Sequence, residues 1–209
     1  MFRDLLAKVC EVYFRFEAVR AVGTGAEAEE EMKKNAFELL ILDIDLPDRD
    51  GFSLAEMAAA STKPPRVLGM SAFCDEFMAH RVMNSDMHGF VDKTDQSVDT
   101  LREAITEVCA GRFYFTEAVL RLPRALRDDP RAFTTLLTER ECQFLCLFGG
   151  GMSSEEAGAR LGTTTPTAHW HRKQIMRKLG IHSTVELMRY ATEKGFSRMG
   201  GGRPIYPLG

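Results

Sequence analysis

Three side chains that could act together on a phosphoryl group stand at the ends of three short apolar runs. Asp43 closes Glu38–Asp43, Ser71 closes Arg66–Ser71, and Lys93 closes Gly89–Lys93. A carboxylate can attack phosphorus as a nucleophile. A hydroxyl can hydrogen-bond the transferred group, and an ammonium can pair with its charge. Taken singly, each has a plainer reading as a strand-end cap, a turn hydroxyl or a surface lysine, because loops are commonly polar. Their order along the chain, with Pro47 and Gly51 spaced behind Asp43, favours the joint reading. A second stretch, Thr163–Gly180, offers different chemistry. It has no acidic side chain and carries Arg172, Lys173, Arg177 and Lys178 beside His169 and His171. At about 3.6 residues per turn, Ala168, Ile175 and Leu179 share one stripe, while His169, Trp170, Lys173 and Arg177 fall on the other side. A cationic face with one exposed aromatic suits a DNA major groove; the plainer alternative is a solvated basic face on a structural helix.

The elements that position the first group alternate. Phe2 to Phe16 recurs at helical spacing, Ala18–Val22 reads as a strand followed by a glycine turn, and Ala26–Asn35 reads as an exposed helix. The run Leu39–Leu42 suits a parallel strand covered on both faces. Helices are expected over Phe52–Ala60, Phe77–Met83 and Val98–Ala110, separated by strands at Arg66–Ser71 and Gly89–Lys93. Such alternation makes an open α/β sheet, doubly wound and parallel, with functional residues beyond the carboxyl ends of its strands. From Arg112 the pattern changes. A connector over 113–133, aromatic at its start, contains a short helix at Ala118–Leu126. Thr138 with Glu141 has the form of a capping box and opens a helix with Phe144, Leu145 and Phe148 inward. Gly149–Gly151 stops it, Ser153 or Ser154 starts the next, and Thr163–Thr165 cap the cationic helix, with Pro166 tolerated in its first turn. Gly180 ends that helix, and Ser183 or Thr184 begins a last one through Leu187, Met188 and Ala191.

The 209 residues suffice for two modest domains. Formal net charge is -3. Acidic residues predominate up to Gly111 and basic ones beyond it, so the back half is the one expected to meet a polyanion. Cys10, Cys74, Cys109, Cys142 and Cys146 show no metal-ligand spacing and read as reduced core thiols. No apolar run approaches the roughly 18 residues of a membrane span, and no signal peptide is evident, so a soluble cytoplasmic protein is expected. For His169 and His171 no cysteine or carboxylate is spaced to complete a metal site. An enzyme working through Asp43 alone lacks a second general base and a nucleophile elbow, so a non-enzyme is expected.

The segments LDIDLPDRDGF, GMSA and GFVDK resemble the receiver domain of two-component response regulators, over residues 1–112. The resemblance implies that Asp43 is the phosphoacceptor, Ser71 the switch hydroxyl, Phe90 the rotating aromatic and Lys93 the invariant lysine, with a sensor histidine kinase as partner. Two features depart from that pattern. Receivers open with a strand ending in an acidic pair that holds a divalent metal, and here Met1 already lies in the helix that follows it. Thr94 stands where the family carries proline. Without the acidic pair, Asp43 and Asp45 are left as weak ligands and Mg²⁺ should be held poorly; Asp48 could help only in part. The first strand is thus expected to be missing from the flavodoxin-like sheet. Either the natural start lies upstream, the favoured explanation, or the receiver is degenerate and works by packing alone, as a dimerisation or protein-interaction module independent of phosphorylation.

Short helices joined by tight glycine turns make a helix-turn-helix unit. Residues 134–195 resemble the LuxR-type output domain of the NarL/FixJ response regulators through LTERE, EEAGARLG and TAHWHRKQIMRKLGIHSTVELMRYA. The resemblance implies an all-α domain that binds double-stranded DNA. It places His169, Trp170 and Lys173 toward the bases, with His171, Arg172 and Arg177 nearer the backbone; Thr165 and Lys178 are also expected to bind DNA. For Trp170 the readings are a core tryptophan, or contact with a thymine methyl or a sugar. The unit is small, so a homodimer joined through 184–192 is expected. Residues 196–209 read as a mobile tail.

Overall fold

The structure, a computed structural model, describes residues 2–94 and 97–197; of the expected tail, only Phe196 and Ser197 fall among them. The front half is a parallel sheet in the order β1-β2-β3-β4, formed by β1 (Leu39–Asp43), β2 (Arg66–Ser71), β3 (Gly89–Asp92) and the short β4 (Tyr114–Phe115). The first three strands are the apolar runs singled out above. Helices α1 (Phe2–Tyr13) and α5 (Val98–Cys109) cover one face, where Cys10, Leu68, Met70, Val91, Ile105 and Val108 are buried together. Helices α2 (Gly25–Lys34), α3 (Gly51–Ala59) and α4 (Glu76–Met83) cover the other, around Leu42, Phe52, Leu54, Val67 and Phe90.

Ala18–Val22 is not a strand. Leu39–Asp43 is the edge of the sheet, and no described strand precedes it, so the segment has no ladder to join. Its apolar side chains are still used: Val19 packs on one core and Val22 on the other. Tyr114–Phe115 goes the opposite way. Expected as connector, it pairs in parallel with β3, Gly89 opposite Tyr114 and Phe90 opposite Phe115. Cys109, read as a core thiol, is exposed and Cys74 is half-buried, while Cys10, Cys142 and Cys146 are buried, and all five cysteines are free thiols.

The connector is built rather than loose. It forms α6 (Glu117–Asp128) and leads into α7 (Phe133–Leu136). Val119 is buried in the sheet's core and Leu126 in the core of the back half, so one helix spans both. The back half is the expected helical unit: α8 (Glu139–Gly149), α9 (Ser154–Arg160), α10 (Thr165–Leu179) and α11 (Thr184–Glu193). Its helix starts follow the side chains that can cap them, each worth about 1 kcal/mol. Thr138 with Glu141 and Ser153 with Glu156 form capping boxes, Thr164 caps α10, and Gly180 ends it in the left-handed region at φ 67°. The expected tail begins too early. Gly195, at φ +86°, turns the chain back and inserts Phe196 into the core, where it is 1% exposed.

Candidate phosphoacceptor pocket and nucleic-acid interface

The sheet brings the first group together at the carboxyl ends of its strands. Lys93 Nζ lies 2.5 Å from Asp43 Oδ2. The Asp45 amide donates to Asp43 Oδ1 at 3.0 Å, and Ser71 Oγ donates to Asp45 Oδ2 at 2.7 Å while accepting from the Phe73 amide at 3.1 Å. Ser71 is therefore engaged with Asp45 rather than with Asp43. Phe90, one strand over, is fully buried. The spacing of Gly51 behind Asp43 has a steric cause: a Cβ there would stand 2.7 Å from the Asp43 carbonyl oxygen and from Ile44 Cα. Asp48 serves the loop instead of a metal. Its carboxylate accepts from the Gly25 and Ala26 amides at 2.8 and 2.9 Å, tying the loop to the start of α2, and those hydrogen bonds, the Gly25 one foremost, hold it below the usual carboxylate range. Thr94 folds back on Asp92, with both its amide and its hydroxyl on Asp92 Oδ1.

These donors do not fit a resident Mg²⁺. The ion asks for octahedral oxygen ligands, whereas Asp43 is neutralised by Lys93 and Asp45 is bonded to Ser71. Among the described residues no group of three or more His, Cys, Asp or Glu side chains could hold a metal.

The second site is the outer face of α10. Ala168 and Ile175 are fully buried, with Met176 and Leu179 packed beside them, which anchors one stripe of the helix. His169, Trp170, Lys173 and Arg177 lie exposed on the opposite side, Trp170 at 54%, and Thr165 is exposed as the first residue of the helix. Of the two readings of Trp170 the core one is set aside, because its helical phase keeps it off the buried stripe. Arg177 is braced by Gln174 on its own helix at 2.6 Å.

The other three expected interface residues are used for anchoring. His171 stacks on Phe144, ring centroids 4.4 Å apart, and meets Trp170 edge-on at 4.9 Å. The Arg172 guanidinium lies 4.2 Å from the Phe148 ring centroid and donates to the Met152 carbonyl at 2.7 Å, fastening α10 to the turn after α8. Lys178 Nζ is 2.6 Å from Glu141 Oε2. Burial pushes the Glu141 carboxyl up, but the bonds from Lys178 and Thr138 outweigh it and keep it below the usual range. The signal was present in the spacing: 171, 172 and 178 are three, four and ten residues after Ala168, on its side of the helix. Glu141, read only as half of a capping box, is also the anchor for Lys178.

Three histidines give the fold a pH dependence. His80, His88 and His171 are held below the ordinary value of 6.5, burial being the leading cause at each. His88 Nδ1 also accepts the Val67 amide at 3.1 Å, which requires that nitrogen to be unprotonated. The unfolded chain thus takes up protons near pH 6.5 before the folded chain does. Stability from these groups is complete above that pH and declines as the pH falls through it. Urea unfolding at about pH 5.5 should show a lower midpoint than at about pH 7.5; an equal or higher acid midpoint contradicts the assignment.

Comparison with known proteins agrees with both halves. Residues 1–106 match the response regulator receiver domain, and residues 135–191 match the bacterial regulatory proteins of the luxR family. The Fimbriae Z protein of Escherichia coli strain K12 is 30% identical over 161 residues, covering 77% of this chain and 76% of that one. The transcriptional regulatory protein MctR of Rhizobium johnstonii is 30% identical over 197 residues, covering 92% and 88%. The fold is similar to RcsB from Salmonella enterica serovar Typhimurium, in a structure bound to promoter P1flhDC with a phosphomimetic. That likeness has a TM-score of 0.56 at 20% identity, and covers 91% of this chain and 93% of the other. Among the described residues no helix is long and apolar enough to cross a membrane.

Proposed function

The chain belongs to the response regulators that join a receiver domain to a LuxR-type regulatory domain, and on that premise we propose that it binds duplex DNA through α10 under control of the Asp43 pocket. The observation that carries this reading is the exposed face of α10: two unburied cations, a histidine and Trp170 on a helix whose other side is fixed to the core. Cations there gain affinity by releasing counterions from the phosphates, and the aromatic and the histidine face the base edges. Thr165 stands at the helix start for a phosphate contact. Arg172, His171 and Lys178 hold the helix at its angle. The protein acts in the cytoplasm as a regulator without turnover of its own.

In the pocket, an Asp43 oxygen attacks the donor's phosphorus as the bond to the donor breaks, at the imidazole nitrogen of a kinase phosphohistidine or the acetate oxygen of acetyl phosphate. The Lys93 ammonium, already beside Asp43, offsets the added charge. Ser71 must exchange Asp45 for a phosphoryl oxygen, and Phe90 then has the vacated side of the hydroxyl to turn toward. A second copy of the chain supplies the other half-site contact, through the exposed Val185 and Met188 of α11.

Two measurements test this. Incubated with acetyl phosphate, the parent should give a retarded band on a phosphate-affinity gel and Asp43→Asn none; a band that persists in Asp43→Asn overturns the phosphoacceptor. The purified parent should also enrich a common sequence from a random duplex pool, and failure to retain any duplex at low salt overturns the DNA reading.

A further inference from the structure

The two halves meet at a joint that neither motif foreshadows. Phe77, on α4 of the receiver, is 1% exposed and belongs to the hydrophobic core of the LuxR-type half, with Phe144, Phe148, Ala168, Ile175, Leu187 and Ala191. Its ring stacks on Phe196 at 4.1 Å, and both rings meet Phe133 edge-on, at 6.0 and 4.9 Å. Next to this trio, Lys194 Nζ bonds both oxygens of Glu76, at 2.8 and 2.9 Å. The Phe77 amide donates to the Lys194 carbonyl at 3.2 Å. Gly195 lets the backbones close: a Cβ there would stand 1.9 Å from Asp75 Cγ, within the carboxylate that caps α4 through the Met78 amide.

We propose that Phe77 and Glu76 of the receiver are positioning residues for DNA binding, completing the core of the LuxR-type half and holding the end of α11 in place. This rests on the DNA-binding reading only for its functional consequence. The physical route is continuous. Phe196 is tied to α11 by its amide on the Ala191 carbonyl at 2.7 Å. Ala191 and Leu187 pack in the same core as Phe144 and Phe148 of α8. Those two rings carry His171 and Arg172, the residues that set the attitude of α10. Deleting the Phe77 ring therefore removes one side of the packing around Phe196 and slackens α11 and α8 before it touches any DNA-facing side chain. On the receiver side, the joint begins just beyond Ser71, whose hydroxyl holds the Phe73 amide. The partner Ser71 takes in the phosphoacceptor pocket is thus within one short loop of the residues that fasten the other half.

The experiment uses the full chain, with two readouts: amide hydrogen exchange along α8 and α11, and affinity for the random-sequence duplex pool. Phe77→Ser should speed exchange in α8 and α11 on the order of tenfold and weaken DNA retention by a similar factor. Val67→Ala, a truncation elsewhere in the receiver core, should speed exchange in the sheet and leave α8 and α11 unchanged. Exchange in α8 and α11 that is the same in Phe77→Ser as in the parent overturns the proposal. Should Phe77→Ser prove insoluble, the ion pair decides. Glu76→Lys and Lys194→Glu should each loosen α11, and the double reversal should restore it; a double variant no better than either single one overturns the proposal. If the coupling in exchange holds while the parent retains no duplex, the joint stands and the DNA-binding reading falls.

Discussion

Replacing Trp170 with alanine and both Lys173 and Arg177 with glutamine should reduce retention of duplex DNA by on the order of 100-fold or more. A base-edge contact such as that of Trp170 is worth about 1–3 kcal/mol, the two cations add the counterion release of their phosphate contacts, and every 1.4 kcal/mol is about tenfold in affinity. The three side chains are exposed, and the buried stripe of α10 is untouched by their loss. The variant should therefore unfold at the parent's urea midpoint while failing to shift DNA. A variant that binds as the parent does removes α10 from the interface. Arg172 behaves differently. Because its guanidinium faces Phe148 and Met152, its truncation should be felt in stability as well as in binding.

The second large effect lies under the joint. Arg81 and Asp50 form an ion pair at 2.5 Å with side chains only 7% and 9% exposed, and the guanidinium also lies 3.8 Å from the Phe52 ring centroid. Removing one member leaves a buried charge without its main compensation, a loss of about 3–5 kcal/mol. Arg81→Ala should thus lower stability by about that amount and the melting temperature by roughly 6–20 °C. Arg81→Met combined with Asp50→Asn should recover part of the loss, since neither charge is then stranded. An Arg81→Ala protein within about 1 kcal/mol of the parent contradicts this account of the pair.

The sequence was most readable where local chemistry decides structure. Leu39–Leu42 is apolar at four consecutive positions, and Thr138 with Glu141 can satisfy two amides at once, so β1 and the start of α8 followed directly. The Asp43–Ser71–Lys93 edge followed from strands that end where they do. Ala18–Val22 failed because a strand is defined by its neighbour, and none of the described strands lies beside it. Arg172 and Lys178 show a different limit: a cationic side chain on a basic helix does not disclose its inward partner, here Phe148 for one and Glu141 for the other. Phe77 and Phe196 were opaque, one read only as the start of a helix and the other as tail: an apolar side chain announces burial without naming what it is buried against.

The claim on which the rest depends is that α10 meets the phosphates of a duplex with Lys173 and Arg177. It is tested most directly by the salt dependence of binding to one duplex recovered from the random pool, for the parent and for the chain carrying Lys173→Gln and Arg177→Gln. Each cation that releases a counterion contributes about 0.9 to the slope of log affinity against log salt, so the variant's slope should be shallower by about 2. An identical slope in the two proteins would place the phosphate contacts elsewhere and contradict the claim.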